Sequence, residues 1–301
     1  MKRRKLNHES ILCVVVLVVL CIICIIPLWM VVVASLTDET ELQRNGYKLF
    51  ITSPTLSTYK FLIANKGKML LRAFRTTLLT TVLGTVWSVT VTTLFAYAIS
   101  QKKEEFRFAR ALSFFAWFTT IFSGGTLPWY IACTQMYGLK DNLFALFIPY
   151  SMSVWNMFIL RGNFRAVPYD LIEAAKLDGA SNAGIFFRVS VPLAKSGIVT
   201  ISLFNMLTFW NDFYLPQWLI HTNDYQTLQK MLYNMLSNSL ALLKDSELSS
   251  VFDKIVLPTT AAKMAIAVMA ILPIIILYPF SLRYFVKGIN MGGIKGSIII
   301  S

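Results

Sequence analysis

The sequence predicts an all-α polytopic membrane protein. It has six transmembrane helices and a short pair of amphipathic helices between the fourth and fifth. Three observations carry this. The 301 residues are 56% hydrophobic and 14% charged, with a mean hydropathy of +0.60, whereas soluble domains carry about 25% charged residues. Apolar runs long enough to cross a bilayer recur along the chain. The net charge of +13 reads, in such a chain, as cytoplasmic Lys and Arg that set topology, not as a nucleic-acid surface.

The chain opens with Lys2-Arg3-Arg4-Lys5. Ile11 to Val33 then runs without a charge, longer than the ~20 residues a spanning helix needs. A signal peptide has a shorter apolar core and a small-residue cleavage site, so this run is expected to be an uncleaved first span with the N-terminus inside. Pro27-Leu28-Trp29 marks its boundary. Ser35 to Arg75 is polar, with turn-like Thr37-Asp38-Glu39 and Ser53-Pro54-Thr55. Thr76 to Ser100 is the second uncharged run. Gln101 to Arg110 is a short basic turn holding Lys102, Lys103, Arg107 and Arg110. Short loops weigh most in orientation, so this turn is placed on the cytoplasmic side.

Ala111 to Leu139 is the third run, broken at Ser123-Gly124-Gly125 and Pro128. Such a break is tolerated at membrane depth where protein or a watery cavity covers it. Lys140-Asp141 makes an outer turn, and Asn142 to Leu160 is the fourth run. Ser196 to Ile220 is the fifth, with a single charge at Asp212. His221 to Lys263 forms an outer loop, Met264 to Leu282 is the sixth run, and Arg283 to Ser301 is a basic tail. Both termini are therefore expected in the cytoplasm. The expected divisions are a cytoplasmic N-terminus (1–10), a first span with its outer loop (11–70), a body of spans two to six (71–286) and a cytoplasmic tail (287–301).

Cys13, Cys21, Cys24 and Cys133 all lie in apolar runs. The Cys21-Ile22-Ile23-Cys24 spacing has no second pair to complete a metal site, so these thiols are expected to act as small hydrophobes. His8 and His221 have no Cys neighbours. Neither a metal nor a cofactor is expected on this chain. Gly292-Gly293-Ile294-Lys295-Gly296-Ser297 lacks the GxxxxGK[ST] spacing of a phosphate loop, so ATP binding by this chain is not expected.

The polar segment from Arg161 to Lys195 holds the most informative stretch. Val167-Pro168 offers a proline for a first helical turn. Asp170 and Glu173 then lie near the positive end of the helix dipole, and Leu171, Ala174, Ala175 and Leu177 form an apolar stripe. Gly179 is the expected left-handed C-cap. Ser181 or Asn182 can cap a second helix carrying Ile185, Phe186 and Val189 and stopping at Pro192. A helix-turn-helix DNA reader needs a freely protruding basic second helix. Here that helix offers only Arg188, and both ends are tied to spans.

This segment, Glu173-Ala174-Ala175, Gly179 and then Val189-Ser190-Val191-Pro192, resembles the signature of ABC importer permeases. The signature reads Glu-Ala-Ala, three residues, Gly, nine residues, Ile-x-Leu-Pro. Val189 and Val191 are conservative departures. Ala96-Tyr97-Ala98-Ile99-Ser100, Ser123-Gly124-Gly125 through Pro128, Trp210-Asn211-Asp212 and Tyr284-Phe285-Val286-Lys287-Gly288 resemble the carbohydrate branch. Within it, the match is to the maltose-type second permease and its oligosaccharide relatives.

The resemblance implies a type I ABC importer permease fold in a bacterial plasma membrane, with coupling helices at about 167–192. It also implies a homologous second permease as heterodimer partner, two ATPase subunits that use ATP and Mg, and an extracytoplasmic solute-binding protein that delivers a carbohydrate. Glu173, Ala174, Ala175, Gly179 and Pro192 would couple to the ATPase. Trp210 and Tyr214 could stack on sugar faces with Asn211 and Asp212 bonding hydroxyls, or Asp212 could be held structurally at the interface. Gly124 and Gly125 would flank the cavity. The alternatives are an ABC permease for a non-sugar solute and a stand-alone secondary transporter. The latter predicts coupling charges in several spans, and only Asp212 qualifies.

Overall fold

The computed structural model describes residues 8–51, 53–244 and 260–293, and among them every regular element is helical. The basic cluster Lys2–Lys5 and residues 294–301 of the tail lie outside the described residues. Two compact units divide the chain, Met1–Leu70 with Leu232–Pro273 and Leu71–Met231 with Ile274–Ser301.

In the first unit, α1 (His8–Ser35) continues unbroken through Pro27 and past the boundary expected at Trp29. From Ile11 to Trp29 its side chains are exposed all round, as befits an apolar helix whose solvent is hydrocarbon. A short helix, α2 (Glu39–Asn45), follows, capped by the Asp38 carboxylate, which accepts from the Thr40 N–H at 3.0 Å. The buried Glu39 side chain reaches the start of the last helix, α13 (Thr260–Gly293), and accepts from the N–H groups of Thr260 at 3.1 Å and Ala261 at 2.7 Å. A carboxylate here satisfies orphan donors and sits at the positive end of the dipole. Ala34, Leu42 and Ala261 are buried beside it, with Met264 packed against them.

The helix α3 (Ser57–Ser100) is 44 residues long. It begins well before the apolar run expected at Thr76, because Lys60, Lys66, Lys68, Arg72 and Arg75 interrupt hydropathy but not helix propensity. The second unit takes α3 up from Leu71 and adds α4 (Ala109–Ile121) and α5 (Thr126–Ile131), the latter passing into a π-helical turn at Ala132–Met136. The expected break is present: Phe122 leaves the helix and Gly125 has φ of +87°.

The expected continuous fourth span is instead two pieces. Short 3-10 turns at Leu143–Leu146 and Ile148–Tyr150 meet α6 (Val154–Arg165) at 56°. Ser153 caps α6 by accepting from the Asn156 N–H at 3.4 Å.

After α7 (Tyr169–Leu177), α8 (Asn182–Ile185) continues through a π-helical turn at Phe186–Ser190 into α9 (Val191–Leu193). Pro192 therefore does not stop the second helix. It sits at the first positions of α9, where its missing N–H costs little. The Val191 N–H reaches back to the Phe186 carbonyl. The turn away comes after Leu193, where α10 (Lys195–Asn211) departs at 77°. Next come α11 (Tyr214–Leu219) and α12 (Leu228–Lys244), the latter inside the expected outer loop.

Among the described residues α1 and α3 are each long and apolar enough to cross a membrane. The two bent pairs around Leu143–Arg165 and Asn182–Asn211 pass the same test when each is taken as one span.

The core of the second unit is built from α3, α4, α6 and α10. Ile99, Met157, Leu160 and Ile201 are fully buried, with Ala96, Ala116 and Ala194 between them. Small residues bring membrane helices close enough for dispersion to act, since lipid tails leave little hydrophobic drive between helices. A second cluster joins Cys133, Leu139 and Leu146 to Leu215, Leu219 and Ile220 on and after α11. Cys133 is simply one of its apolar members. Asp141, at φ of +52°, donates its N–H to the Leu219 carbonyl at 2.9 Å, and its carboxylate accepts from the Thr222 N–H at 2.9 Å.

Candidate functional site

Two places in the second unit bring the predicted residues into view. The first is α7, the Glu173-Ala174-Ala175 helix. It contains no buried residue. Glu173 and Ala174 are exposed, and so are Leu171 at 47% and Leu177 at 86%. The helix ends as Gly179 predicts. The Ala180 N–H bonds the Ala175 carbonyl at 2.9 Å and the Gly179 N–H bonds the Lys176 carbonyl at 3.0 Å, with Gly179 at φ of +77°. This is the paired 6→1 and 5→2 closure of a Schellman motif. Ser181 then caps α8 through the Gly184 N–H at 3.2 Å.

The exposed helix is anchored at both ends. Val167 before it and Ile185 and Phe186 after it are buried. Tyr97 of α3 packs against Phe186 at 4.7 Å and against Phe164 of α6 at 5.5 Å between ring centroids. On its flank, Lys176 donates to Glu105 of the α3–α4 loop, and the Tyr169 hydroxyl donates to the same carboxylate oxygen at 3.1 Å. The Lys102 ammonium lies 3.2 Å from the centre of the Tyr169 ring. Hydrogen bonding from Lys176 holds the Glu105 carboxyl below the usual carboxylate range, and the same bond raises Lys176. The composition of the 101–110 turn gave its charge, but not that Glu105 and Lys102 grip α7.

The second place is an open cleft of about 630 Å³ between the 3-10 turns, α6 and α10. Its polar lining includes Tyr150, Ser153, Asn156, Asn205, Asn211 and Asp212, and Tyr214 closes one side. Asn156 donates to the Asn205 amide oxygen at 3.2 Å, which leaves the buried Asn205 Nδ2 as a donor with no partner. Asp212 ends α10 and begins α11. Its two oxygens accept from the N–H groups of Tyr214 at 3.0 Å and Leu215 at 3.3 Å.

Of the residues predicted along a substrate path, Asn211, Asp212 and Tyr214 face this cleft. Trp210 does not. It is buried on another side of α10, edge-on to Phe74 at 6.1 Å. Neighbouring positions on a helix point about 100° apart, and here that turn takes the Trp210 ring to Phe74 while Asn211 stays on the cleft side. Gly124 and Gly125 sit at the α4–α5 break, and Thr126 beside them accepts from the Tyr214 hydroxyl at 3.4 Å. Asn156 and Asn205 were missed by the sequence reading. The only available signal was an amide at each of two positions in otherwise apolar runs.

A body of bent apolar helices, open to a polar cleft on one face and carrying an exposed helix on a stiff mount, is the construction of a membrane transport subunit. The chain belongs to the family of binding-protein-dependent transport system inner membrane components, whose model matches residues 9–291. It is 31% identical over 273 residues to Protein LplC of Bacillus subtilis, covering 90% of this chain and 89% of that one. It is 31% identical over 272 residues to the polygalacturonan/rhamnogalacturonan transport system permease protein YtcP of the same organism, covering 90% and 92%. Among solved structures it is similar to a chain of a bacterial ABC transporter involved in the import of the acidic polysaccharide alginate. The TM-score is 0.79 at 25% identity, covering 95% of this chain and 99% of that one. The all-α permease fold expected from the sequence is thus the fold of the molecule.

Proposed function

We propose that this chain is the membrane-spanning permease subunit of an ATP-driven importer that carries a carbohydrate, of oligosaccharide size, across a bacterial plasma membrane. The chain hydrolyses nothing itself. It pairs with a homologous second permease, receives sugar from an extracytoplasmic binding protein, and takes its drive from two ATPase subunits that use ATP and Mg. Both termini and α7 lie on the cytoplasmic side.

The observation that carries this reading is the contrast within one segment. α7 buries no residue of its own, while Val167, Ile185 and Phe186 on either side are buried in the helical body. A helix left bare yet rigidly mounted suits a lever gripped by another protein. Ala174 and Ala175 permit close approach of a groove, and Glu173 is placed to pair with a cation across the contact. Movement of α7 passes through Phe186 and Tyr97 to α3 and α6 and shifts the helices around the cleft between two states. The cleft presents amides, hydroxyls and aromatic rings, the groups that bind sugar hydroxyls and faces. The names of two relatives, a polygalacturonan/rhamnogalacturonan permease and an alginate importer, support a saccharide cargo.

The test is uptake of labelled oligosaccharide by the assembled complex in proteoliposomes. Glu173→Lys is expected to abolish uptake, with loss of ATPase co-purification or with hydrolysis no longer linked to transport. Normal uptake by this variant would sink the proposal.

A further inference from the structure

A second cleft, of about 650 Å³, lies where the α3–α4 loop and the start of α4 meet the end of α6. Lys102, Lys103, Arg107, Arg110, Arg161 and Arg165 line it, and no acidic residue does. None of these six cations forms an ion pair among the described residues. Of the loop's two acids, Glu105 is already held by Lys176 and Tyr169, and neither it nor Glu104 lines the cleft. Arg161 has its Nε buried without a hydrogen-bond partner. Like charges gathered at this density repel one another, and an unpaired buried donor is costly. Both costs are relieved by an anion with several acceptor oxygens.

Apart from Gln101, the remaining lining is apolar: Phe106, Ala109, Ala111 and Phe114. From Phe114 an exposed aromatic ridge continues along α4 to Phe118 and Phe122, with ring centroids 6.4 Å and then 4.6 Å apart. The cationic cleft and the apolar ridge are continuous. A small free anion uses only the first, and an acidic protein surface has no use for a ridge along a membrane helix.

We infer that this cleft binds the headgroup of an anionic phospholipid, with an acyl chain laid along Phe114, Phe118 and Phe122. Basic pockets between membrane helices on the cytoplasmic face recognise such headgroups through the phosphodiester charge. The bound lipid bridges the α3–α4 loop to the end of α6, so it steadies the loop that also holds α7 through Glu105. This goes beyond sugar transport and depends on membrane insertion, not on the identity of the cargo.

The test is native mass spectrometry of the intact transporter complex after exchange into mixed micelles of phosphatidylglycerol and phosphatidylcholine. The wild type is expected to retain phosphatidylglycerol in preference to phosphatidylcholine. The Arg161→Gln/Arg165→Gln double variant is expected to retain about tenfold less. Lys66→Gln/Lys68→Gln, which neutralises two exposed lysines of the first unit, is expected to change nothing.

Phe118→Ala, on the exposed face of α4, and Arg107→Gln, in the exposed loop, give independent readings should the double variant misfold. Each is expected to lower retention. Unchanged retention in all three cleft and ridge variants overturns the inference. So does displacement of the lipid by roughly 10 mM inorganic phosphate but not by sodium chloride of equal ionic strength, which identifies a free-phosphate site. Loss of the ATPase subunits with phosphatidylglycerol retention intact overturns it in favour of a protein contact.

Discussion

Lys176 of α7 donates to Glu105 of the α3–α4 loop, joining positions 71 residues apart in sequence. The bond ties the exposed helix to the loop that follows α3. Neither side chain is deeply buried, at 37% and 22% exposed, and pairs of this kind contribute about 0.2–1 kcal/mol to stability. Glu105→Gln and Lys176→Met are therefore each expected to leave thermal unfolding nearly unchanged while lowering the ratio of sugar moved to ATP hydrolysed. The Glu105→Lys/Lys176→Glu exchange is expected to restore part of that ratio in proteoliposomes.

The pH dependence of the same pair follows from the direction of its shifts. Glu105 is held below the usual carboxylate range, so its contribution is complete above the ordinary carboxylate value and fades as pH falls through the lowered one. Lys176 is raised, so its contribution is complete below the ordinary ammonium value and fades as pH rises through the raised one. Between about pH 5.5 and 9, inside the window bounded by unperturbed Glu and Lys, the pair stays intact. The difference in coupling ratio between wild type and Glu105→Gln is expected to be flat over that interval and to shrink below about pH 4. Measurement of both proteins across pH checks this.

Gly179 poses a purely conformational problem. Its φ is +77°, and a Cβ built there meets nothing within 4 Å. Substitution thus brings no clash, only the cost of holding an L-residue in the left-handed region, about 1–2 kcal/mol. The turn is exposed, so that cost falls on the Schellman closure and not on the core. Gly179→Val is expected to speed amide exchange at Gly179 and Ala180 and to lower uptake, with little change in the unfolding temperature. Gly179→Asn is expected to keep most of both, because Asn tolerates this conformation.

That turn was legible in the sequence because every signal in it is local. Pro168 opens the helix, Gly179 closes it and Ser181 caps the next, each through bonds to residues a few positions away. Other features depend on partners far along the chain. Glu39 looked like part of a turn, yet its carboxylate caps a helix 221 residues on. Asn156 and Asn205, 49 residues apart, show as a pair only once α6 and α10 are side by side. The bend at Ser151–Ser153 leaves little trace in hydropathy, since two serines do not interrupt an apolar run, whereas the bend after Leu193 falls where the polar segment gives way to the fifth run at Lys195-Ser196. Pro192 misled in the other direction. Proline stops a helix that needs its N–H, but the first turn of a new one does not.

Gly197 of α10 packs directly against Asn163 of α6. A Cβ at this position falls 2.5 Å from the Asn163 side chain, whose Nδ2 is bonded to the Ile159 carbonyl at 3.0 Å and so is not free to swing away. Gly197→Ala is expected to destabilise the protein in detergent by about 1–3 kcal/mol, the usual cost of overpacking. Gly197→Ala/Asn163→Ala is expected to recover most of it. A double-mutant cycle on thermal unfolding measures the coupling. Simple additivity would mean that the helices separate without regard to this contact.

Asp212 is the one acidic residue of the fifth apolar run, and its two oxygens are both engaged by the backbone at the start of α11. It lines the cleft itself and also holds the chain that brings Tyr214 to the same cleft. Loss of a capping side chain costs about 0.5–2 kcal/mol. Asp212→Asn keeps one acceptor for the turn, while Asp212→Ala keeps none. If the carboxylate serves the fold, Asp212→Asn is expected to retain most uptake with an unchanged KM for sugar, and Asp212→Ala is expected to lower both the unfolding temperature and uptake. If the carboxylate itself bonds sugar hydroxyls, charge matters more than capping. Asp212→Asn would then raise KM severalfold at unchanged stability, since a charged acceptor binds hydroxyls more strongly than an amide oxygen. Uptake kinetics and thermal unfolding of the same two variants separate these outcomes, and the bonds to Tyr214 and Leu215 favour the first.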